Sequence, residues 1–363
     1  MMHVPPLRDD TVIFSLPIAT ARPGQAANVE HHMRWDSKFA IKEMSGVLDP
    51  PNSDWYLHHL TFFSVGSAGA RAYPTQLFCP EARRFAIEPS FANDRTPWES
   101  PWVVPGRYGV LVEQGETWMV SMQLVNLRDV ADRHACIEGR LRDKLNRSAQ
   151  TELLPCPLAQ SAANAPPLST RLRMRLRVVR PSSPDWPSLI PARGYCSDVK
   201  QNYCCLGSYN VPARQCKSAE DECATVQSAS TAPLTAALSI VAIVGHTHPS
   251  GRGVRVRIDD RAVCEITPGS DGVWPKMRDW CDFSERPLVV SPGSRLHFAA
   301  AYDAGRRTVL GAMGSTYVLV AETEALFRVG AELTNFSVSD APSGEPWAQT
   351  QSPRTARRRT ASR

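Results

Sequence analysis

Short alternating and continuous apolar runs, rather than a 3.6-residue period, set the rhythm of this chain. Val12–Leu16 reads as a short strand, and Lys38–Val47 alternates loosely. Trp55–Val65 is rich in aromatic residues, and Thr117–Val125 repeats the pattern. In Arg171–Val178 arginine alternates with Leu, Met or Val, as expected of a strand with one wet face. Ala236–Gly245 is strongly apolar, Val254–Ile258 alternates against Arg255 and Arg257, and Leu288–Val290, Leu296–Tyr302 and Ser315–Ala321 follow. The 30 prolines are scattered along the chain, which disfavours helices and marks turns and strand edges. The expectation is an all-β protein.

A chain of 363 residues, 42% hydrophobic, has length and apolar material for two cores. Residues 11–150 are read as an amino-terminal sandwich. Residues 151–167, rich in Ala, Pro, Ser and Asn, form a linker, and 168–330 form a second sandwich with its compact part at Leu234–Glu322. Residues 340–363 form a disordered basic tail, since five arginines fall in 353–363 without apolar anchors. The net charge of +5 therefore says little about partners, and no nucleic acid is expected. A distant alternative pairs the arginine tail with the cysteines in a zinc or nucleic-acid protein. No apolar run is long enough to span a membrane as a helix, and there is no P-loop, dinucleotide fingerprint or serine-hydrolase elbow.

Cysteine usage points to an oxidising compartment. Five of the ten cysteines (Cys196, Cys204, Cys205, Cys216 and Cys223) crowd into 28 residues. Adjacent Cys204 and Cys205 lack the spacer by which a CxxC pair grips zinc, so a disulfide-rich loop is favoured over a zinc knuckle. Asn-X-Ser triplets at Asn146 and Asn335 agree weakly with an extracellular or secretory location. No basic-then-apolar signal segment is visible near Met1, which argues the other way.

Six of the nine histidines stand in three tight groups: His31 with His32, His58 with His59, and His246 with His248. On a strand, residues two apart share a face, so His246 and His248 can present both imidazoles to one ion. Paired surface histidines are as often simply solvated. Adjacent His58 and His59 would face opposite ways on a regular strand, and only a bulge or strong twist would aim both at one metal. His31 and His32 read as structural or surface residues. Met313 sits among small neighbours, Gly311-Ala312-Met313-Gly314. Methionine in an apolar strand is usually core filling, but thioether with imidazole suits cuprous copper better than hard cations.

Several segments together carry a resemblance. They are Tyr56-Leu57-His58-His59, Trp118–Arg128 ahead of Cys136, Ile243–Asp259, Arg261-Ala262-Val263-Cys264, Asp279-Trp280-Cys281 and Gly311–Glu322. At modest identity across residues 11–322, the chain resembles the stress up-regulated nodulin-type (SURNod) family of plants. That family is in turn similar to the copper type II, ascorbate-dependent peptidylglycine α-hydroxylating and dopamine β-monooxygenases. The resemblance implies two antiparallel jelly-roll-like β-sandwich domains in tandem, holding one or two copper ions. It implies a dioxygen-activating copper at His246, His248 and Met313, and an electron-supplying copper at His58, His59 and a third histidine. It also implies a Cys264–Cys281 disulfide. At the third histidine's place stands Gln123, whose amide oxygen is a poor ligand for cuprous copper. The implied function is copper binding. The resemblance further implies ascorbate-dependent C–H hydroxylation of a small molecule or peptide, with an impaired electron-transfer site. The alternative is a non-catalytic extracellular, stress-related binding or scaffold protein on the same fold.

Overall fold

The computed structural model describes residues 2–4, 10–50, 54–66, 84–87, 102–130, 165–199, 209–212, 224–231, 233–247, 251–267, 269–270, 275–276, 280–302, 308–322 and 337–339. Among these residues there is no α-helix. A 3-10 turn at Trp186–Ser188 is the helical element described between β-strands, and no helix is long and apolar enough to cross a membrane. The all-β expectation holds. Much of the cysteine-rich loop, Asn146, Asn335, His248 and the basic tail lie outside the described residues.

The amino-terminal unit is built from β1 (Met2–Val4), β2 (Thr11–Ser15), β3 (Ala19–Ala21), β4 (Ala26–Trp35), β5 (Phe39–Asp49), β6 (Trp55–Gly66), β7 (Arg84–Ile87), β8 (Trp102–Val103), β9 (Tyr108–Val112), β10 (Thr117–Asn126) and β11 (Leu168–Val179). With β12 (Ile190–Asp198) they run in the order β1-β4-β10-β6-β7-β12-β9-β5-β11-β2. The sheet rolls over on itself because its apolar faces must meet. Phe14 of β2, at one end of the order, packs edge-on against Trp35 of β4 near the other end, with centroids 6.3 Å apart. Trp35 packs in turn against Phe39 of β5 at 4.9 Å. Phe62, Trp118, Met33 and Met44 complete a core in which each is fully buried.

β11, expected to open the second unit at residue 168, belongs instead to the first. It is hydrogen-bonded between β5 and β2, and its Leu172, Met174, Leu176 and Val178 fill the first core. The alternation seen in the sequence supplies the reason: one face of this strand needs an apolar partner, and β2 and β5 provide it on both sides. Gly46 on β5 permits the close fit, since a Cβ there would meet Met174 Sδ at 3.1 Å and Leu172 Cδ1 at 3.2 Å.

A register shift beside Arg177 makes Lys42 the extra residue of β5. Its ammonium donates to the carbonyls of Val104 (3.1 Å), Gly106 (2.8 Å) and Tyr108, and so straps the β8–β9 connection to β5. Burial, and then the charge of Arg177, pulls the Lys42 amine down to about 8, against the opposing pull of Glu43.

The second unit comprises β13 (Tyr209–Val211), β14 (Thr225–Ser230), β15 (Leu238–Thr247), β16 (Gly251–Ile258), β17 (Arg261–Ile266), β18 (Gly269–Ser270), β19 (Pro275–Lys276), β20 (Trp280–Asp282), β21 (Leu288–Val290), β22 (Leu296–Tyr302), β23 (Val309–Ala312), β24 (Gly314–Ala321) and β25 (Ser337–Ser339). One sheet has the order β17-β16-β22-β14-β25, and it packs against β15, flanked by β20, β21 and β24. Cys264 of β17 and Cys281 of β20 form a disulfide, with Cα atoms 5.9 Å apart. It staples the two sheets at one edge, as the resemblance implied.

β12 is the seam. Its first residues pair in parallel with β9 of the amino-terminal unit, and Ala192–Asp198 pair antiparallel with β24. Buried Arg193 is ion-paired to Glu322 at the end of β24, whose amide also donates to Pro191 O at 2.8 Å. β24 is buried along its entire length. Val318 and Val320 enter the second core while Leu319 and Ala321 enter the first, so this strand is the wall between the two.

Two predictions follow from these tethers. Between about pH 8 and 10.5 the unfolded chain keeps a proton that folded Lys42 has shed, so stability rises with pH across that window. In urea unfolding midpoints measured across it, Lys42→Met should be flatter than wild type, and equal slopes would refute the assignment. The double substitution Cys264→Ala, Cys281→Ala, which opens a loop of sequence separation 17, should cost about 3 kcal/mol by chemical denaturation.

Candidate functional site

The second candidate set is organised by β15 and β24. A register shift between Ile240 and Ala242 makes Val241 an extra residue, after which the strand alternates regularly. Ala242 pairs with Leu319 on the side of the first core, and Ile243 pairs with Val318 on the side of the second. Carried forward, the alternation sets His246, paired with Ser315, on the side of the amino-terminal unit. Gly314 pairs with Thr247 and faces the second core. A Cβ at Gly314 would meet Tyr302 OH at 2.3 Å, Ala300 Cβ at 2.5 Å and Tyr209 OH at 2.9 Å. Met313 falls between β23 and β24, outside either strand, and immediately precedes the Gly314–Thr247 rung, which adjoins that of His246.

Met313 is 1% exposed and His246 6% exposed. Down the His246 side of β24 run Ser315 and Tyr317. Their hydroxyls are buried and have no hydrogen-bond partner among the described residues, and the Thr247 hydroxyl next to His246 is in the same state. A buried hydroxyl left unpaired costs about 1–3 kcal/mol; Ser315 and Tyr317 share one side of β24, and Thr247, paired with Gly314, faces the other. Trp280 pairs with Val244, two residues before His246, and packs edge-on against Trp102 of the amino-terminal unit at 6.4 Å. The strand end that carries His246 thus lies beside a contact between the two units.

The first candidate set lies on β6 and β10. Gln123 pairs with His59, but Leu124 pairs with Leu57, so His58 is the extra residue of a β-bulge. The bulge that two adjacent histidines would need to share one ion is thus present in the backbone. Gln123 lies directly between His59 on one flank and Asn28 of β4 on the other. No histidine of β4 takes that rung: His31 pairs with Val120 and His32 with Met119. Burial, with a smaller contribution from the adjacent His32, holds the His31 imidazole below its ordinary value. β6, β7, β12 and β24 are successive hydrogen-bonded neighbours, so one continuous sheet connects the two sets.

Among the described residues no three His, Cys, Asp or Glu side chains gather into a metal-binding group. Within the second set His246 is the one described member of those types, because its other expected donors are a thioether and His248. The donor chemistry present, imidazole with thioether in a buried setting, fits a soft cuprous ion and does not fit calcium or magnesium. Ser315, Tyr317 and Thr247 were missed by sequence reasoning, although hydroxyl residues interrupting an otherwise apolar run were the available signal.

No known family and no curated protein matches the chain. Among solved structures, one neighbour is entitled "Crystal structure of PBCV-1 VP54 fitted into a cryo-EM reconstruction of the virophage Sputnik". It has 8% identity and a TM-score of 0.28, and the match covers 85% of this chain and 92% of that one. A quasi-atomic model of the PBCV-1 virus capsid has 8% identity and a TM-score of 0.28, covering 91% and 96%. The ANX1 ectodomain from Arabidopsis thaliana has 6% identity and a TM-score of 0.21, covering 87% and 83%. At such scores none of them carries an argument about this protein.

Gly314 is where the site and the second core compete for space. Gly314→Ala should destabilise the protein by about 1–3 kcal/mol, because the new methyl group collides with the Tyr209–Tyr302 hydroxyl pair and Ala300. Urea unfolding of the variant checks this, and an unchanged midpoint would show that the strand relaxes freely.

Proposed function

We propose that this protein binds copper as a member of the SURNod group, with its principal site at His246, His248 and Met313. The observation that supports this most is that His246 and Met313 are both buried and close along the strand register, with His246 on the Ser315 rung and Met313 immediately before Gly314 on the next. The imidazole and thioether hold a soft ion. Copper so held supplies one-electron chemistry toward dioxygen, with ascorbate as the reductant. The chain's own residues orient the ligands, and the packed strands on either side exclude bulk water. The substrate is a small molecule or peptide, and the setting is extracellular or secretory.

Gln123 favours a second reading, a scaffold that binds without catalysing. The residue directly opposite His59 contributes an amide where an imidazole would complete a cuprous site. His58 and His59 alone would bind with altered affinity and potential, which weakens electron supply.

Copper stoichiometry after anaerobic reconstitution with Cu(I) tests both readings. One copper per chain, lost or weakened at least tenfold by Met313→Ile and by His246→Ala, is the expected result. A second copper that disappears with His58→Ala would restore the two-site enzyme. Wild-type protein that takes up no copper would sink the metal reading and leave the scaffold.

A further inference from the structure

β11 carries a feature that the copper reading does not use. Arg171, Arg173, Arg175 and Arg177 occupy alternate positions opposite the buried Leu172, Met174 and Leu176, so all four stand on the outer face of the β5–β11–β2 sheet. Same-face residues on a strand recur every ~6.5–7 Å, so the row spans roughly 20 Å. Ser169, next on the same face, bonds Thr20 of β3 at 2.8 Å and extends the row with exposed hydroxyls.

The flanking rungs leave the row net positive. On β5 the partners of the four arginines are, in order, Asp49, Val47, Ser45 and Glu43. On β2 the partners of Arg173, Arg175 and Arg177 are Ser15, Ile13 and Thr11. On these rungs four cations thus face two anions, and Arg177 is ion-paired with Glu43 at 2.6 Å. At the centre of the row Ser45 is 1% exposed, and its hydroxyl has no hydrogen-bond partner among the described residues. Ile13, on the Arg175 rung, is 49% exposed.

We propose that this face docks a linear acidic polysaccharide, whose carboxylate or sulfate groups are gripped along the arginine row. The guanidinium fork matches planar or branched oxyanions in a way that a point charge does not, and repetition along a strand suits a repeating polymer. Thr11, Ser15, Thr20 and Ser169 offer hydroxyls to the sugar. Single-stranded nucleic acid is the poorer fit, because these rungs hold no aromatic side chain on which a base could stack. This docking is independent of the metal proposal, because it uses none of the same residues.

Binding of the full chain to heparin and to polygalacturonate, with poly(dT) and neutral dextran for comparison, tests the proposal. The expected result is salt-sensitive binding to at least one of the two acidic polysaccharides, tighter than to poly(dT). Binding to polygalacturonate shows that carboxylate suffices, and binding to heparin alone points to sulfate as the group recognised. The double variant Arg173→Gln, Arg175→Gln should bind about tenfold or more weakly with an unchanged melting midpoint. Arg173→Lys with Arg175→Lys should fall between it and wild type. If the glutamine variant does not fold, Arg171→Gln, at an exposed position in the row, should still weaken binding. Arg357→Gln, Arg358→Gln, Arg359→Gln in the basic tail should leave binding unchanged. Absence of binding to both acidic polysaccharides, loss only in the tail variant, or equal or tighter binding to poly(dT) would each overturn the proposal.

Discussion

The two-sided burial of β24 is the constraint on which the rest of this structure depends. An ordinary sandwich strand buries one face and wets the other. Here Val318 and Val320 are core to one unit while Leu319 and Ala321 are core to the other. Each fully buried aliphatic side chain is worth about 1.5–3 kcal/mol, and along β24 that gain accrues on both faces at once. The units are therefore not beads on a string. Loosening either core exposes one face of the strand that the other core needs, so the two share a common stability element.

That shared wall also explains why chemistry could collect at its end. Where β24 is apolar, both faces are sealed by packing. At Ser315 and Tyr317, on the side of the amino-terminal unit, hydroxyls are buried with no hydrogen-bond partner among the described residues. A cost of that kind is tolerated in a folded protein when other interactions offset it. The seam strand β12 works in the same direction. Its Arg193–Glu322 ion pair is buried, so desolvation offsets much of its attraction, and its main contribution is to fix the register at which β12 meets β24.

Much of the architecture was legible in the sequence because period-2 patterning is a direct record of burial. β6, β10, β15, β16, β22 and β24 coincide closely with runs that alternate or stay apolar. β4 was not legible: Ala26–Trp35 carries Asn28, Glu30, His31, His32 and Arg34, and its apolar residues become a stripe only once β1 and β10 flank it. β12 was missed for a related reason, since Pro191, Gly194 and Ser197 weaken its strand signal and long-range pairing with β9 and β24 defines it. The assignment of β11 to the second unit failed because alternation reveals that a strand has a buried face and not which core buries it. Within the site, the pairing of the HxH strand with the strand after Met313 was implied by resemblance, whereas the bulge at His58 and the placement of Gln123 opposite His59 required the register.

Gln123 then decides how the two candidate sets should be weighed. A bulge is a specific backbone feature that aims a residue away from its regular direction, and one stands at His58, where two adjacent histidines would need it. The bulge is thus present although the rung opposite His59 holds an amide. Among the described members of the second set, His246 and Met313 are both soft-metal donors and both buried. The two candidate sets therefore differ in kind: the second offers two buried soft donors, whereas the first offers a backbone bulge whose neighbouring rung carries an amide.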